Sequence, residues 1–374
     1  MALVLAGCSV LPPPVLPTIA PAAWQQPTGS AGAASPGMRS WWASLGDSTL
    51  DALVARATAT SLTLEQARSR VRQARLLASR DNTQYLPTLN GGLRPVQSVS
   101  ATDAFFQASL DAVWELGLFG ARASLDRSAQ ARIDSAEAGL HGAAVSLVGE
   151  VVRSYTDLRA AQQQQALWQR LVDIDTRLLA LTEVRIRHQL AASGEREQAR
   201  ARLAHTQAQQ AQPRQIALHA AQGLATLLGQ TAPDAAWLQP APQPVLGDFA
   251  LAQLPVDLLR FRPEIRQAEA DVFRASGELG SAQAELYPRV ALGSSLVYSY
   301  NVTQNRPLSS DYIPVIGPLV DIPIFDWARR RAAAGARREA LDAALLAYRQ
   351  AVVEGVAETE MALATLDVQR EREG

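Results

Sequence analysis

Two stretches of this sequence, about 200 residues apart, run through the same order of features, and any fold must accommodate that duplication. The first passes through Gln84-Tyr85-Leu86-Pro87-Thr88-Leu89, a weakly hydrophobic segment, and then Trp114-Glu115-Leu116-Gly117-Leu118-Phe119-Gly120-Ala121-Arg122. The second passes through Glu285-Leu286-Tyr287-Pro288-Arg289-Val290, a similar segment, and then Val320-Asp321-Ile322-Pro323-Ile324-Phe325-Asp326-Trp327 and three arginines shortly after. A repeat of this size is a duplicated domain rather than a short solenoid unit.

Between these landmarks the hydrophobic period changes from helical to alternating. Phe106, Ala108, Leu110, Ala112, Trp114 and Leu116 interleave with Gln107, Ser109, Asp111 and Glu115, with Val113 as the interruption. In the second half Val290, Leu292, Leu296, Tyr298 and Tyr300 fall on one face with Ser294, and Gly293, Ser295, Ser299 and Asn301 on the other. Each pattern predicts a strand hairpin set in otherwise helical sequence. Two such hairpins make an odd soluble sandwich but a sensible share of a larger barrel.

The helical signal after the first hairpin is long. No proline occurs from Ala121 to Arg187, which at 1.5 Å per residue allows a rod of roughly 100 Å. Val145, Val148, Val152, Tyr155 and Leu158 recur at three- and four-residue spacing, and Leu167, Leu171, Ile174, Leu178, Leu181 and Val184 extend the stripe as a packing seam. Gln162 to Gln165 and the arginines are expected to face solvent or an aqueous interior. Gly194 is the expected turn into a returning helix, with Pro213 as a local irregularity and Leu227-Leu228-Gly229 as its end. Pro263 suits the first turn of a further helix, and another follows Trp327.

Composition narrows the function. Thirty-five basic against 36 acidic side chains, a formal charge of -1, argue against a nucleic-acid partner. No stretch approaches the roughly 20 apolar residues of a spanning helix, although a closed β-barrel needs none. His141, His188, His205 and His219 show no ligand-like clustering, and Gly91-Gly92 is not a phosphate loop. The sequence therefore predicts no catalytic, cofactor-binding or metal site.

The single cysteine ends Leu5-Ala6-Gly7-Cys8, which resembles a bacterial lipobox, so Cys8 is expected to carry covalent lipid as a membrane anchor. The basic stretch of a signal peptide is missing, so the natural start is expected further upstream. Residues 1–8 are then a signal-peptide remnant and lipobox, and the Pro-, Ala- and Ser-rich residues 9–40 an extended leash. The first repeat spans 41–244, with a strand hairpin at about 85–118 and a helical hairpin at about 121–229. The second spans 245–374, with a strand hairpin at about 287–326.

These landmarks, in this order, resemble the TolC-like outer-membrane efflux factors, especially their lipidated NodT-like branch. Tyr85-Leu86-Pro87 and Leu286-Tyr287-Pro288 look like that family's helix-to-strand junctions. Leu118-Phe119-Gly120 and Ile324-Phe325-Asp326 look like its strand-to-helix junctions, and Arg262-Pro263-Glu264-Ile265 like its entry into the second repeat. The resemblance implies a mixed α/β membrane protein: a homotrimer in which each chain gives four strands to one transmembrane β-barrel and long antiparallel helices to a hollow cylinder. It implies a passive outer-membrane exit duct for drugs or other small toxic compounds, or metal ions, working with a periplasmic adaptor and an inner-membrane transporter. Gly194 would lie near the periplasmic tip, where polar side chains serve adaptor contact or gating.

After Trp327 only 47 residues remain, so the second helical hairpin is expected to be cut short. The alternative to a duct is a lipid-anchored helical scaffold or adaptor, which would explain the rods and Cys8 but not two alternating hairpins at equivalent points.

Overall fold

The computed structural model describes residues 12–17, 19–25, 40–97, 104–245, 255–302 and 310–373. Cys8 and most of the expected leash lie outside the described residues. The chain divides into two compact units, the first built from Met1–Ala23, Ser69–Gly139 and Leu254–Thr365, the second from Trp24–Arg68, Leu140–Gln253 and Leu366–Gly374. In chain order the main elements are α1 (Ser48–Thr60), α2 (Leu62–Asn82), β1 (Thr88–Gln97), β2 (Ala104–Glu115) and α3 (Ala121–Arg187). They continue with α4 (Ser193–Gln209), α5 (Ala211–Leu227), α6 (Pro255–Phe261), α7 (Pro263–Ala284), β3 (Arg289–Asn301), β4 (Ser310–Asp321) and α8 (Trp327–Glu373).

The first unit holds a single antiparallel sheet in the order β1-β2-β3-β4, so the two sequence repeats contribute one hairpin each and meet at the β2–β3 pair. Pro87 and Pro288 stand directly before β1 and β3. Each proline pushes its preceding residue out of the helical region and so ends the helix where the strand must begin. The register sets Thr88 opposite Val113, Glu115 opposite Ala291 and Arg289 opposite Asp321.

Beneath the sheet in sequence, α3 and α7 approach closely because their contact is built from small residues. A Cβ on Gly277 would lie 2.6 Å from the Ser124 carbonyl oxygen and 2.7 Å from the Ser128 nitrogen, and one on Gly280 would lie 2.2 Å from Ser124 Oγ. Arg127 donates to Ser276 Oγ at 3.1 Å across the same contact. The buried Asp81 at the end of α2 accepts from Arg132 of α3 at 2.6 Å. Farther along, Leu259, Ile265 and Val352 form a small apolar cluster. There Arg262 donates to the Gly355 carbonyl at 3.0 Å and pairs with Glu264 and Glu358.

The second unit has the larger core, in which Leu50, Leu53 and Val54 of α1 meet Val151, Tyr155 and Leu158 of α3 and Ala221 and Leu224 of α5. Asp47 caps α1, accepting from the backbone of Thr49 and Leu50, and also takes the Tyr155 hydroxyl at 2.7 Å. Gly229 ends α5 in a left-handed conformation, with Gln230 donating back to Ala225 and Gly229 to Thr226.

Three expectations need correction here. Gln162 does not face solvent: it and Arg159 are buried, Arg159 at 3 % exposure, and both donate to the Trp237 carbonyl. Arg159 also donates to the Gln239 carbonyl and lies 4.8 Å above the Tyr155 ring. The guanidinium's fixed fork suits a cluster of backbone acceptors that would otherwise be orphaned.

Second, the apolar stripe from Leu167 to Val184 is exposed along its length, and the helix face turned inward is the neighbouring one, where the half-buried Trp168, Val172, Leu179 and Ile186 alternate with the buried Asp175 and Thr182. Asp175 is held by an ion pair to Arg202 of α4 at 2.8 Å and by the Thr206 hydroxyl at 2.7 Å. This half of α3 therefore has two adjacent seams, one turned inward that mixes Trp168, Val172, Leu179 and Ile186 with Asp175 and Thr182, and a wholly apolar one left open.

Third, the reversal between α3 and α4 occupies residues 188–192, and Gly194 lies inside the first turn of α4. Gln189 takes the left-handed position at φ 60°. Leu190 donates to the Arg185 carbonyl and Gln189 to that of Ile186, the bond pattern with which a left-handed glycine more often ends a helix. The Glu195 carboxylate then accepts from the Ala192 N–H at 3.1 Å and starts α4. Pro213 likewise sits within the first turn of α5, after a break at Gln210.

Two glycines thus predict opposite outcomes in unfolding experiments in detergent. Gly277→Ala should cost about 1–3 kcal/mol because the new methyl meets backbone rather than a flexible side chain. Gly194→Ala, with nothing within 4 Å of the added carbon, should be neutral or stabilising by up to ~1 kcal/mol. A loss at Gly194 as large as that at Gly277 would refute its helical placement.

Candidate functional site at the sheet and its helix junctions

The register sorts the strand side chains into two faces. One carries Leu89 and Leu93 of β1, Phe106, Leu110 and Trp114 of β2, Leu292 and Leu296 of β3, and Tyr312, Ile316 and Val320 of β4. These side chains are exposed, Ile316 at 76 %. The opposite face carries Asn90, Arg94, Gln107, Ser109, Asp111, Glu115, Ser295 and Ser299, broken by Val96 of β1, Phe105 and Val113 of β2, Val297 of β3 and, on β4, Ile313, Val315 and Leu319. There the Asp111 carboxylate accepts from Ser109 at 2.9 Å and from Ser295, and Arg94 donates to Gln107 at 3.3 Å. A sheet that exposes its apolar face and pairs its polar groups on the other is ordered for lipid outside and water inside. Its strands of 10 to 13 residues are long enough to span. Among the described residues no helix is long and apolar enough to cross a membrane.

At the first junction the chain must turn from strand into helix within five residues. Gly117 (φ 59°), Phe119 (φ 56°) and Gly120 (φ 82°) all adopt left-handed conformations. Gly117 is also required by space, since its Cβ would meet the Tyr85 ring at 2.8 Å. Phe119, which lacks glycine's freedom, bears a local cost of roughly 1–2 kcal/mol, offset by stacking on Tyr287 with ring centres 5.0 Å apart. Trp114 Nε1 donates to the Tyr85 carbonyl at 3.1 Å and ties the end of β2 to the start of β1. Around these residues lies a cavity of about 160 Å³ lined in part by Tyr85, Glu115, Phe119, Glu285 and Arg289.

The second junction solves the same problem with charge. Where Gly120 stood, Asp326 accepts from Arg329 and Arg330, both at 2.9 Å, and its backbone carbonyl receives the first helical bond, from the Arg330 N–H. Arg330 also donates to the Glu285 carbonyl at 3.1 Å, fastening α8 to the end of α7. Phe325, the counterpart of Phe119, is fully exposed. Thus the structure gathers Pro288, Phe119 and Gly120 around one junction and Asp326 with Phe325 at another, while Gly194 lies on α4 and Cys8 outside the described residues. Gly117 and Trp114 lay within the first landmark and Arg330 just after the second, but none of them was given a junction role from the sequence. Only Gly117 could have been, as a second glycine beside a motif already noticed.

No group of three or more potential metal ligands occurs among the described residues. What the sheet defines is a membrane-facing surface with polar groups behind it, as in one protomer of an outer-membrane channel. The chain matches the family described as outer membrane efflux protein over residues 53–230 and 254–373. Nodulation protein T of Rhizobium leguminosarum bv. viciae is 29 % identical over 333 residues, 86 % of this chain and 68 % of that protein. The pyoverdine export outer membrane protein OpmQ of Pseudomonas aeruginosa is 30 % identical over 387 residues, 98 % of this chain and 80 % of its own length. Among solved structures, the outer-membrane channel OprN superposes with a TM-score of 0.81 at 28 % identity, over 96 % of this chain and 84 % of that one. This chain belongs to the outer membrane efflux protein family, whose members are non-catalytic conduits, and it is not an enzyme.

The two hydrogen bonds from arginine hold the Asp326 carboxyl below its ordinary value of 3.8, the Arg329 bond contributing most and the Arg330 bond next. A depressed folded-state pKa gives attachment that is intact above the ordinary carboxylate pKa and lost as pH falls through the lowered one. Protection of the Arg330 and Arg331 amides, taken relative to the intrinsic exchange rate at each pH, should therefore be high at neutral pH and fall only below pH 3.8. In Asp326→Asn that protection should be low already at neutral pH and fall no further in acid; high protection in that variant would show that the carboxylate does not hold the start of α8.

Proposed function

We propose that three copies of this chain close one outer-membrane barrel and form the passive exit duct of a tripartite efflux system. Drugs or other small toxic compounds pass through it from periplasm to exterior. The observation that carries this reading is the four-stranded sheet with an apolar exposed face and two edges that no described strand pairs. Four strands are too few to close a barrel around a pore, and unpaired edges do not survive in hydrocarbon. Partner strands from further copies satisfy both requirements. Passage needs no bound cofactor and no covalent step, since the driving force comes from an inner-membrane transporter coupled through a periplasmic adaptor.

Two further features support an assembly rather than a lone chain. The open apolar seam from Leu167 to Val184 runs beside the seam covered by α4, which suits a helix with neighbours on both sides. The reversal at 188–192 presents Arg185 and Glu195, paired at 3.7 Å, on the helical hairpin's end, where polar contact with an adaptor is proposed. Similarity to Nodulation protein T supports placement in the lipidated branch, with Cys8 acylated in the outer membrane.

Native mass spectrometry of the detergent-extracted chain should give three copies per particle, and single-particle images should show a hollow cylinder. In a host lacking its own outer-membrane duct, expression should lower accumulation of a fluorescent efflux dye severalfold. A monomeric mass with unchanged dye accumulation would sink the proposal. Labelled palmitate should be incorporated by the natural chain and lost in Cys8→Ser; equal labelling of both would move the lipid elsewhere.

A further inference from the structure

The two edge strands carry all three prolines found within the sheet's strands, and their placement follows a rule. In an antiparallel ladder the N–H and C=O of one residue point to the same side, and those of the next residue to the other. Leu116 donates to Val290 and Val302 to Ala104, so even-numbered residues of both β2 and β3 face each other. Odd-numbered residues of β2 then face β1, which leaves Leu89, Gly91, Leu93, Pro95 and Gln97 of β1 pointing outward. Odd-numbered residues of β3 face β4 in the same way, which leaves Tyr312, Pro314, Ile316, Pro318 and Val320 of β4 pointing outward. Pro95, Pro314 and Pro318 therefore each remove a donor from an open edge and none from the ladder inside the sheet.

The internal repeat supplies the geometry of the missing pair. At the β2–β3 contact between repeats, Glu115 stands opposite Ala291, four residues before Phe119 and three after Pro288. Counting the same distances from Phe325 and Pro87 sets Asp321 opposite Asn90. Resting on the trimeric reading above, we infer that β4 pairs with β1 of a second copy in this register, Asp321 opposite Asn90 of the partner subunit, and that the prolines select it. The outward-facing pairs are then Val320 with Gly91 of the partner subunit, Pro318 with Leu93 of the partner subunit, Ile316 with Pro95 of the partner subunit and Pro314 with Gln97 of the partner subunit.

In this register every proline meets a residue that still has its N–H, so each pair keeps at least one hydrogen bond. A slip of two residues in either direction sets Pro314 or Pro318 opposite Pro95. That pair has no donor, and two rings stand where hydrogen atoms belong. A slip of one residue turns the apolar face of β4 onto the polar face of β1. The junction agrees with the pairing. Phe119 stacks on Tyr287, which precedes Pro288. The equivalent contact brings the fully exposed Phe325 onto Leu86 of the partner subunit, which precedes Pro87 and is itself exposed in the single chain.

Paired cysteine variants of the full chain test the register. Asp321 and Asn90 of the partner subunit would form a non-hydrogen-bonded pair, whose side chains lie close enough for a disulfide. Asn90→Cys with Asp321→Cys should give covalent dimers and trimers on copper-phenanthroline oxidation. Thr88→Cys or Gly92→Cys combined with Asp321→Cys should give roughly tenfold less, and each cysteine alone should give none. Arg94→Cys with Gly317→Cys is a second in-register pair, at a glycine with open space around it, and guards against a variant that misfolds. Preferential linking of the Thr88 or Gly92 pair in a particle of trimeric mass would overturn the register while leaving the duct intact. So would a trimer in which neither in-register pair links. A monomeric mass for the natural chain would remove the trimer, and the register with it.

Discussion

A backbone amide in hydrocarbon has no water to bond with, and a strand at the edge of a sheet presents a row of such amides. Most of the remaining design of this protein follows from that fact. The four strands are long enough to span, their outer face is apolar without interruption by charge, and on the inner face Asp111 is met by Ser109 and Ser295 and Gln107 by Arg94. Among the described residues, no strand pairs with the outward donors and acceptors of β1 and β4. The duplicated hairpins resemble a section cut from a ring, with the cut ends matched to each other because both descend from one repeating plan. Proline at the cut ends reduces the number of donors that must be satisfied and also discourages promiscuous pairing before assembly.

The change from sheet to helix is the second demand, because strand and helix rise at different rates and use different backbone regions. The helix-to-strand passages rely on Pro87 and Pro288, which forbid a helical residue immediately before them. The strand-to-helix passage after β2 uses three left-handed residues in close succession, with Gly117 pressed against Tyr85 and Phe119 held by the Tyr287 ring. The passage after β4 uses the Asp326 carboxylate and two arginines. A conserved backbone path is unnecessary when either strain held by stacking or paired charge can direct the chain.

Much of this was legible in the residues. Period-two alternation in β2 and β3 predicted the strand faces, and the paired prolines predicted where the helices stop. The helical hairpin was less legible, for identifiable reasons. A search for an apolar stripe finds Leu167 to Val184, yet that stripe is open in the chain, whereas the covered seam contains Asp175 and Thr182. Polar side chains can form such a seam when Arg202 and Thr206 answer them from the facing helix, and no single-helix pattern reveals the answer. The turn was assigned to Gly194 because glycine is the usual left-handed residue. The structure uses Gln189, whose conformation is imposed by the bonds from Gln189 and Leu190 back to the last turn of α3. Arg159 and Gln162 looked like surface residues because the carbonyls they serve, at Trp237 and Gln239, lie more than seventy residues away in sequence.

The unequal junctions have a bearing on how such a ring could have arisen. If both halves of the chain were identical, six half-chains could close the ring with every seam alike, and a half-chain could occupy any place. In the proposed trimer, with Gly120 in one half and Asp326 in the other, the seams around the ring would fall into two alternating kinds, one made by stacking within a chain and one left for a neighbour. Each kind can then change without disturbing the other, so subunit exchange and the strength of assembly become adjustable separately from the stability of the individual protomer. In that trimer, duplication followed by divergence at these positions would convert a sixfold pattern into a threefold one.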